Sequence, residues 1–147
     1  MISFLTFCES LDTPYPFHWT KRVDGYWIAT FTLPTGDVYL CEFIGWNGKW
    51  GVAFKRKGDL RHDPFAVVGD TKQEFRIFAT VVASVKEFVW RVQPDEMLFT
   101  AKEPSRTRLY RRLVSGVSAA IPGYRGLELP GQTYGAKEFL IVKKTKT

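Results

Sequence analysis

The sequence predicts an α+β domain on a mixed sheet: an antiparallel N-terminal meander, then β-α-β-α-β with helices packed on the sheet. Three observations lead there. Residues 25–54 contain aromatic and β-branched runs separated by turn dipeptides, and residues 71–92 carry a long apolar stripe at helical spacing. A short strand-like run then separates that stripe from a second helical segment opening at Pro104. A helix between two strands is what a parallel pair requires, because its connection must cross over, so the strands after the meander are expected to run parallel.

The elements follow in order. After an irregular start around Pro14 and Pro16, Gly25 to Leu33 reads as a strand and closes at Pro34-Thr35-Gly36-Asp37, a turn. Val38 to Ile44 is a second strand. The Asn47-Gly48 pair tolerates the positive φ angles of a tight hairpin, so Trp50 to Phe54 folds back on it. Beyond Lys55-Arg56-Lys57 the chain turns polar until Thr71, which stands with Glu74 in the spacing of a capping box.

From there Phe75, Phe78, Val81, Val82, Val85, Phe88, Val89 and Val92 recur at three- and four-residue steps, with Lys86, Glu87 and Arg91 on the other side. This is the main helix, and Pro94 ends it. Glu96 to Thr100 reads as a short buried strand. Pro104 sits where a first helical turn accepts proline, and the helix from Ser105 is expected to end near Gly116. The glycines and prolines from Pro122 to Gly135 describe loops, and Glu138 to Val142 is a last strand before a basic, frayed tail.

A chain of 147 residues has the size of one domain, so 1–147 is read as a single unit. Apolar residues at 45% and aromatics at 16% exclude a disordered polypeptide. The formal charge of +6 favours anionic partners without naming one. Two cysteines, Cys8 and Cys41, lie among apolar neighbours and read as small hydrophobes in a reducing compartment. The segment MISFLTFCES lacks a basic n-region and is too short to span a bilayer, and a soluble cytoplasmic protein is expected.

The order of elements, with IFATVVASVKEF, LFTAKEPSRTRLYRRL and the final strand, resembles the GNAT superfamily of N-acetyltransferases, and more closely small bacteriophage proteins with that core. The likeness covers the second half of the chain well and the first half in strand order. It implies acetyl-CoA bound where two neighbouring strands splay, with its pyrophosphate on amides at the start of the long helix, where unpaired N–H groups and the helix dipole favour negative charge. Carried onto this chain, the pyrophosphate faces Val68, Gly69, Asp70, Thr71 and Lys72. Gly69 alone stands for the family's glycine-rich loop, and Lys72 and Arg76 face the charge of Asp70.

The resemblance further implies that Tyr110 protonates the departing thiolate, a step that needs a weak acid near the sulfur. Taken on its helix alone, between Leu109 and Leu113, the same tyrosine reads as a core residue with a wet hydroxyl. Glu42, on a strand, is the carboxylate to reach the cleft through water as base; its ordinary place is the solvated sheet face. His62 and Asp63 read as a polar turn. With two histidines and no cysteine pair at ligand spacing, no metal is expected.

The function these residues imply is acyl-CoA-dependent N-acylation of an amine in a phage-infected host cell. The alternative is a catalytically inactive module of the same fold that binds and modulates a host protein, using the tyrosines, tryptophans and arginines that anchor interfaces. A second copy of the chain is a further expected partner; a membrane is not. Arg106, Arg108, Arg111 and Arg112, with Lys55-Arg56-Lys57, could track phosphates, and Trp46 and Trp50 could stack on bases. No nucleic-acid motif accompanies them, and they read as a solvated helix face and hairpin caps.

Overall fold

The computed structural model describes residues 14–57, 71–102, 104–131 and 135–144; for 71–75 and 105 only the backbone is described. Four strands come first: β1 (Phe17–Val23), β2 (Tyr26–Thr32), β3 (Val38–Trp46) and β4 (Lys49–Arg56). Helix α1 (Thr71–Val92), β5 (Glu96–Ala101), α2 (Pro104–Ala120), β6 (Tyr124–Glu128) and β7 (Lys137–Lys143) follow. All seven strands form one mixed sheet in the order β1-β2-β3-β4-β5-β7-β6. The protein is α+β, with the expected meander and the expected parallel pair.

That pair is β4 with β5, joined by the α1 crossover; every other neighbour is antiparallel. The β3–β4 hairpin turns on Asn47 at φ 51° and Gly48 at φ 81°, the double positive geometry for which Asn-Gly is suited. Its tip also fixes the start of β5, because the amides of Asp95 and Glu96 both donate to the Gly48 carbonyl.

Four expectations are corrected. The last strand, expected to run parallel like the others after the meander, pairs antiparallel with β5 because β6 returns the chain before β7 enters the sheet. The supposedly irregular start contains β1: Phe17 and Trp19 pack against the core, Asp24-Gly25 turns the hairpin, and a bulge between Trp19 and Lys21 absorbs a register shift. The loops after Pro122 contain β6, in which Gly126 is not a turn residue. A β-carbon there would lie 2.0 Å from the Val114 carbonyl oxygen, so the glycine lets α2 press directly onto the strand. Helix α2 also runs through Gly116 to Ala120, because Val117 is fully buried and extends the apolar stripe by a turn.

Both helices lie on one face of the sheet. Alternate residues point to opposite faces of a strand, and the set Ala29, Phe31, Tyr39, Cys41, Phe43, Val52, Phe54, Met97, Phe99, Phe139 and Ile141 is buried under the helices. At the centre Phe88 of α1 stacks on Phe43 at 4.2 Å and meets Trp27 and Trp50 edge-on at 5.5 and 4.9 Å. Trp19 closes this cluster by donating its indole N–H to Glu87 at 2.7 Å. Cys41 is buried as expected; Cys8, and the tail beyond Lys144, lie outside the described residues. No helix among the described residues is long and apolar enough to cross a membrane.

Candidate functional site: a seam between parallel strands

The ladder between β4 and β5 covers four pairs, Lys49 with Glu96 through Val52 with Phe99, although β4 continues to Arg56 and β5 to Ala101. Beyond Val52 and Phe99 the strands part. On their outer sides both remain paired, β4 to β3 through Tyr39 with Arg56 and β5 to β7 through Ala101 with Lys137. The opening is therefore a seam within an otherwise continuous sheet.

Tyr110 reaches into this seam from α2. Its ring is 1% exposed and packs on Phe99 at 5.2 Å and Phe139 at 6.2 Å. Its hydroxyl accepts the Phe54 amide N–H at 3.3 Å. The amide of Phe54 thus points towards β5, and strand alternation directs that of Arg56 the same way. The small side chains of Ala53 and Thr100 flank the seam on the face opposite the helices, where both are exposed.

Glu42 lies on that opposite face, one strand away, paired in register with Ala53. It is only 8% exposed. Lys55 holds its Oε1 at 2.7 Å, and the Tyr26 hydroxyl donates to its Oε2 at 3.2 Å. The phenol of Tyr26 has its pKa raised, first by desolvation and then by the neighbouring Glu42 carboxylate. Glu42 is a paired carboxylate, so a proton acceptor at this position must first exchange Lys55 for substrate.

Both helices begin at the seam's end of the sheet. Pro104 opens α2 just after β5 finishes, and α1 begins at Thr71 and ends beside the hairpin end of β4 and β5. Arg76, in the second turn of α1, stacks its guanidinium over the Tyr15 ring at 4.1 Å, and Tyr15 stacks on Phe31 at 6.2 Å. The start of α1 thus lies over Tyr15 and β2, whereas the positive dipole end of α2 opens directly beyond β5.

Of the residues singled out in the sequence, Tyr110 is brought to the seam and Glu42 to its other face. Thr71 and Lys72 open α1, with side chains outside the described set; Val68, Gly69, Asp70, His62 and Asp63 lie outside the described residues. Arg111 pairs with Glu128 at 2.6 Å and Arg56 with Asp37 at 2.8 Å, so both basic clusters are partly committed to ion pairs within the fold. Trp50 is 9% exposed, whereas Trp46 is 66% exposed. Among the described residues no group of three metal-ligating side chains gathers. Sequence reasoning missed Lys55 and Tyr26 as partners of Glu42, and Ala53 and Thr100 as the seam's lips. Ala53 was legible only as a member of a strand and Lys55 only as part of a basic run; register assigns them these roles. No family model, curated protein or solved structure matches this chain.

Proposed function

We propose that the protein is a GNAT-like acyl-CoA-dependent N-acyltransferase, phage-encoded and acting on an amine in the host cytoplasm. One observation carries this reading: a parallel strand pair that opens after Val52 and Phe99, with the Tyr110 hydroxyl in the opening. An acyl-CoA laid in the seam would find the Arg56 amide on the β4 side, a phenol for its sulfur, and positive helix ends at the same end of the sheet for its phosphates. The pyrophosphate would rest on the amides that open α1 at Thr71 and Lys72, after Val68, Gly69 and Asp70, with Arg76 one turn further. Glu42 is the base of this reading once an incoming ammonium displaces Lys55. The chemistry is proton removal from the amine, attack of nitrogen on the thioester carbon, and departure of the CoA thiolate with the proton of Tyr110.

The ion pair of Glu42 with Lys55 favours a second reading, a catalytically silent module of the same fold that binds a host protein. Thermal unfolding with and without acetyl-CoA separates the two, because a ligand bound only by the folded state raises the midpoint. A concentration-dependent rise is expected for the full chain. No rise at millimolar acetyl-CoA rules out the acyltransferase reading.

A further inference from the structure

The face of the sheet opposite the helices carries an apolar band that crosses all seven strands in register. Val23 pairs with Tyr26, Tyr26 with Ile44, Ile44 with Gly51, Gly51 with Leu98, Leu98 with Leu140, and Leu140 with Leu127. Val23 and Ile44 are each 50% exposed and Leu127 37%. Neither described helix packs on this face, since both lie over the buried set on the other side. At about 4.8 Å per strand the band is ~29 Å long, and with the row on either side ~20 Å wide, a footprint on the order of 600 Å² per copy. Two such footprints give ~1,200 Å², the lower bound of a specific interface.

The flanking rows decide what fits. On the hairpin side stand Trp46, Lys49, Glu96, Val142 and Arg125; on the seam side stand Lys21, whose ammonium lies 4.8 Å from the Tyr26 ring centre, then Ile28, Glu42, Ala53, Thr100 and Glu138. A two-fold axis lying along the band sets each hairpin-side row against the partner's seam-side row. Lys49 then comes within one strand of the partner's Glu42, and Arg125 within one strand of its Glu138. Glu96 meets Thr100 with the partner's Glu138 one strand away, where Arg125 flanks that carboxylate on its other side, and the exposed Trp46 lies over Glu42 with Ile28 beside it. The alternative two-fold axis, along the strands through β4, would set Lys49 directly against the partner's Lys49 and bring Glu42 within one strand of its Glu138, like against like.

We infer that this band is the interface of a two-fold homodimer, two sheets packed face to face with their helices outward. The pairing covers Glu42, Ala53 and Thr100, so an amine reaches Glu42 only in the monomer, while the Arg56 and Ala101 end of the seam stays beyond the footprint. Trp46 supplies the kind of aromatic anchor on which interfaces depend.

Sedimentation of the full chain from low to high micromolar concentration tests this. A reversible dimer is expected, weakened at least about tenfold by Ile44→Glu and by Lys49→Glu. Circular dichroism confirms that each variant stays folded, as the exposure of both positions requires. In a Cys8→Ser chain, a short bis-maleimide is expected to join Ile44→Cys molecules and leave Trp90→Cys molecules, on the helix side, single. A wild-type chain that stays monomeric throughout, or a dimer unaffected by Ile44→Glu, overturns the inference; so does crosslinking through Trp90→Cys instead of Ile44→Cys.

Discussion

The Tyr110 hydroxyl accepts the Phe54 amide at 3.3 Å, two residues past the last pair that β4 makes with β5. A helix side chain thus takes the place of the acceptor that a neighbouring strand would otherwise offer. Tyr110→Phe removes that acceptor and keeps the ring in its pocket against Phe99 and Phe139. The expected cost is about 1 kcal/mol, read from urea unfolding. Under the acyltransferase reading, turnover also falls by ~10²-fold or more while the acetyl-CoA thermal shift persists. Unchanged turnover in a variant that still binds would remove Tyr110 from the chemistry.

Phe88 is the hub of the core, fully buried and in ring contact with Phe43, Trp27 and Trp50. Phe88→Ala is expected to cost about 3–5 kcal/mol, the range for a buried phenylalanine whose surroundings cannot collapse. Trp90→Ala, two residues on but 73% exposed, should stay within ~0.5 kcal/mol. Equal losses in the two variants would contradict the packing of α1.

Gly126 is required by a close approach between α2 and β6. Gly126→Ala places a methyl against the Val114 backbone at 2.0 Å, so the helix must shift, at an expected cost of about 1–3 kcal/mol. Gly51→Ala meets only the Ile44 carbonyl oxygen at 3.7 Å and is the control. Comparing their urea midpoints checks the contact.

Burial pushes the Cys41 thiol up from 9.0 to about 12, with the neighbouring Ser84 hydroxyl opposing the shift and the Glu42 charge adding to it. A raised folded-state value means that the native chain keeps its proton where the unfolded chain loses it. This contribution to stability is complete below pH 9.0 and is lost as pH climbs towards about 12. Tyr26 and Tyr124, both raised from 10.0, act with the same sign. Cys41→Ala should therefore flatten the alkaline limb of the stability curve. In a Cys8→Ser chain, alkylation of Cys41 should track unfolding rather than pH.

The elements that the sequence revealed were those whose signal is local. Asn47-Gly48 announces its hairpin because two consecutive positive φ angles exclude most other residues. Residues 71–92 announce their helix because the apolar stripe repeats every turn, and Pro94 and Pro104 mark where backbone donors must be absent. Strands β1 and β6 escaped for equally local reasons. Pro14 and Pro16 hid the alternation of Phe17 and Trp19, and Gly126 reads as a turn unless α2 is known to press on it.

Residue chemistry by itself thus determined the α+β class, the meander, the α1 crossover and the parallel β4–β5 pair. Only the tertiary structure decided that this pair stops at Val52 and Phe99, that Tyr110 fills the gap, that Lys55 and Tyr26 hold Glu42, and that seven strands align one exposed apolar band. Helical period and turn geometry are written in neighbours a few residues apart. Strand register is settled between residues far apart in the chain, by which side chains can share a core, and a one-residue slip would have moved every one of these groups to the other face.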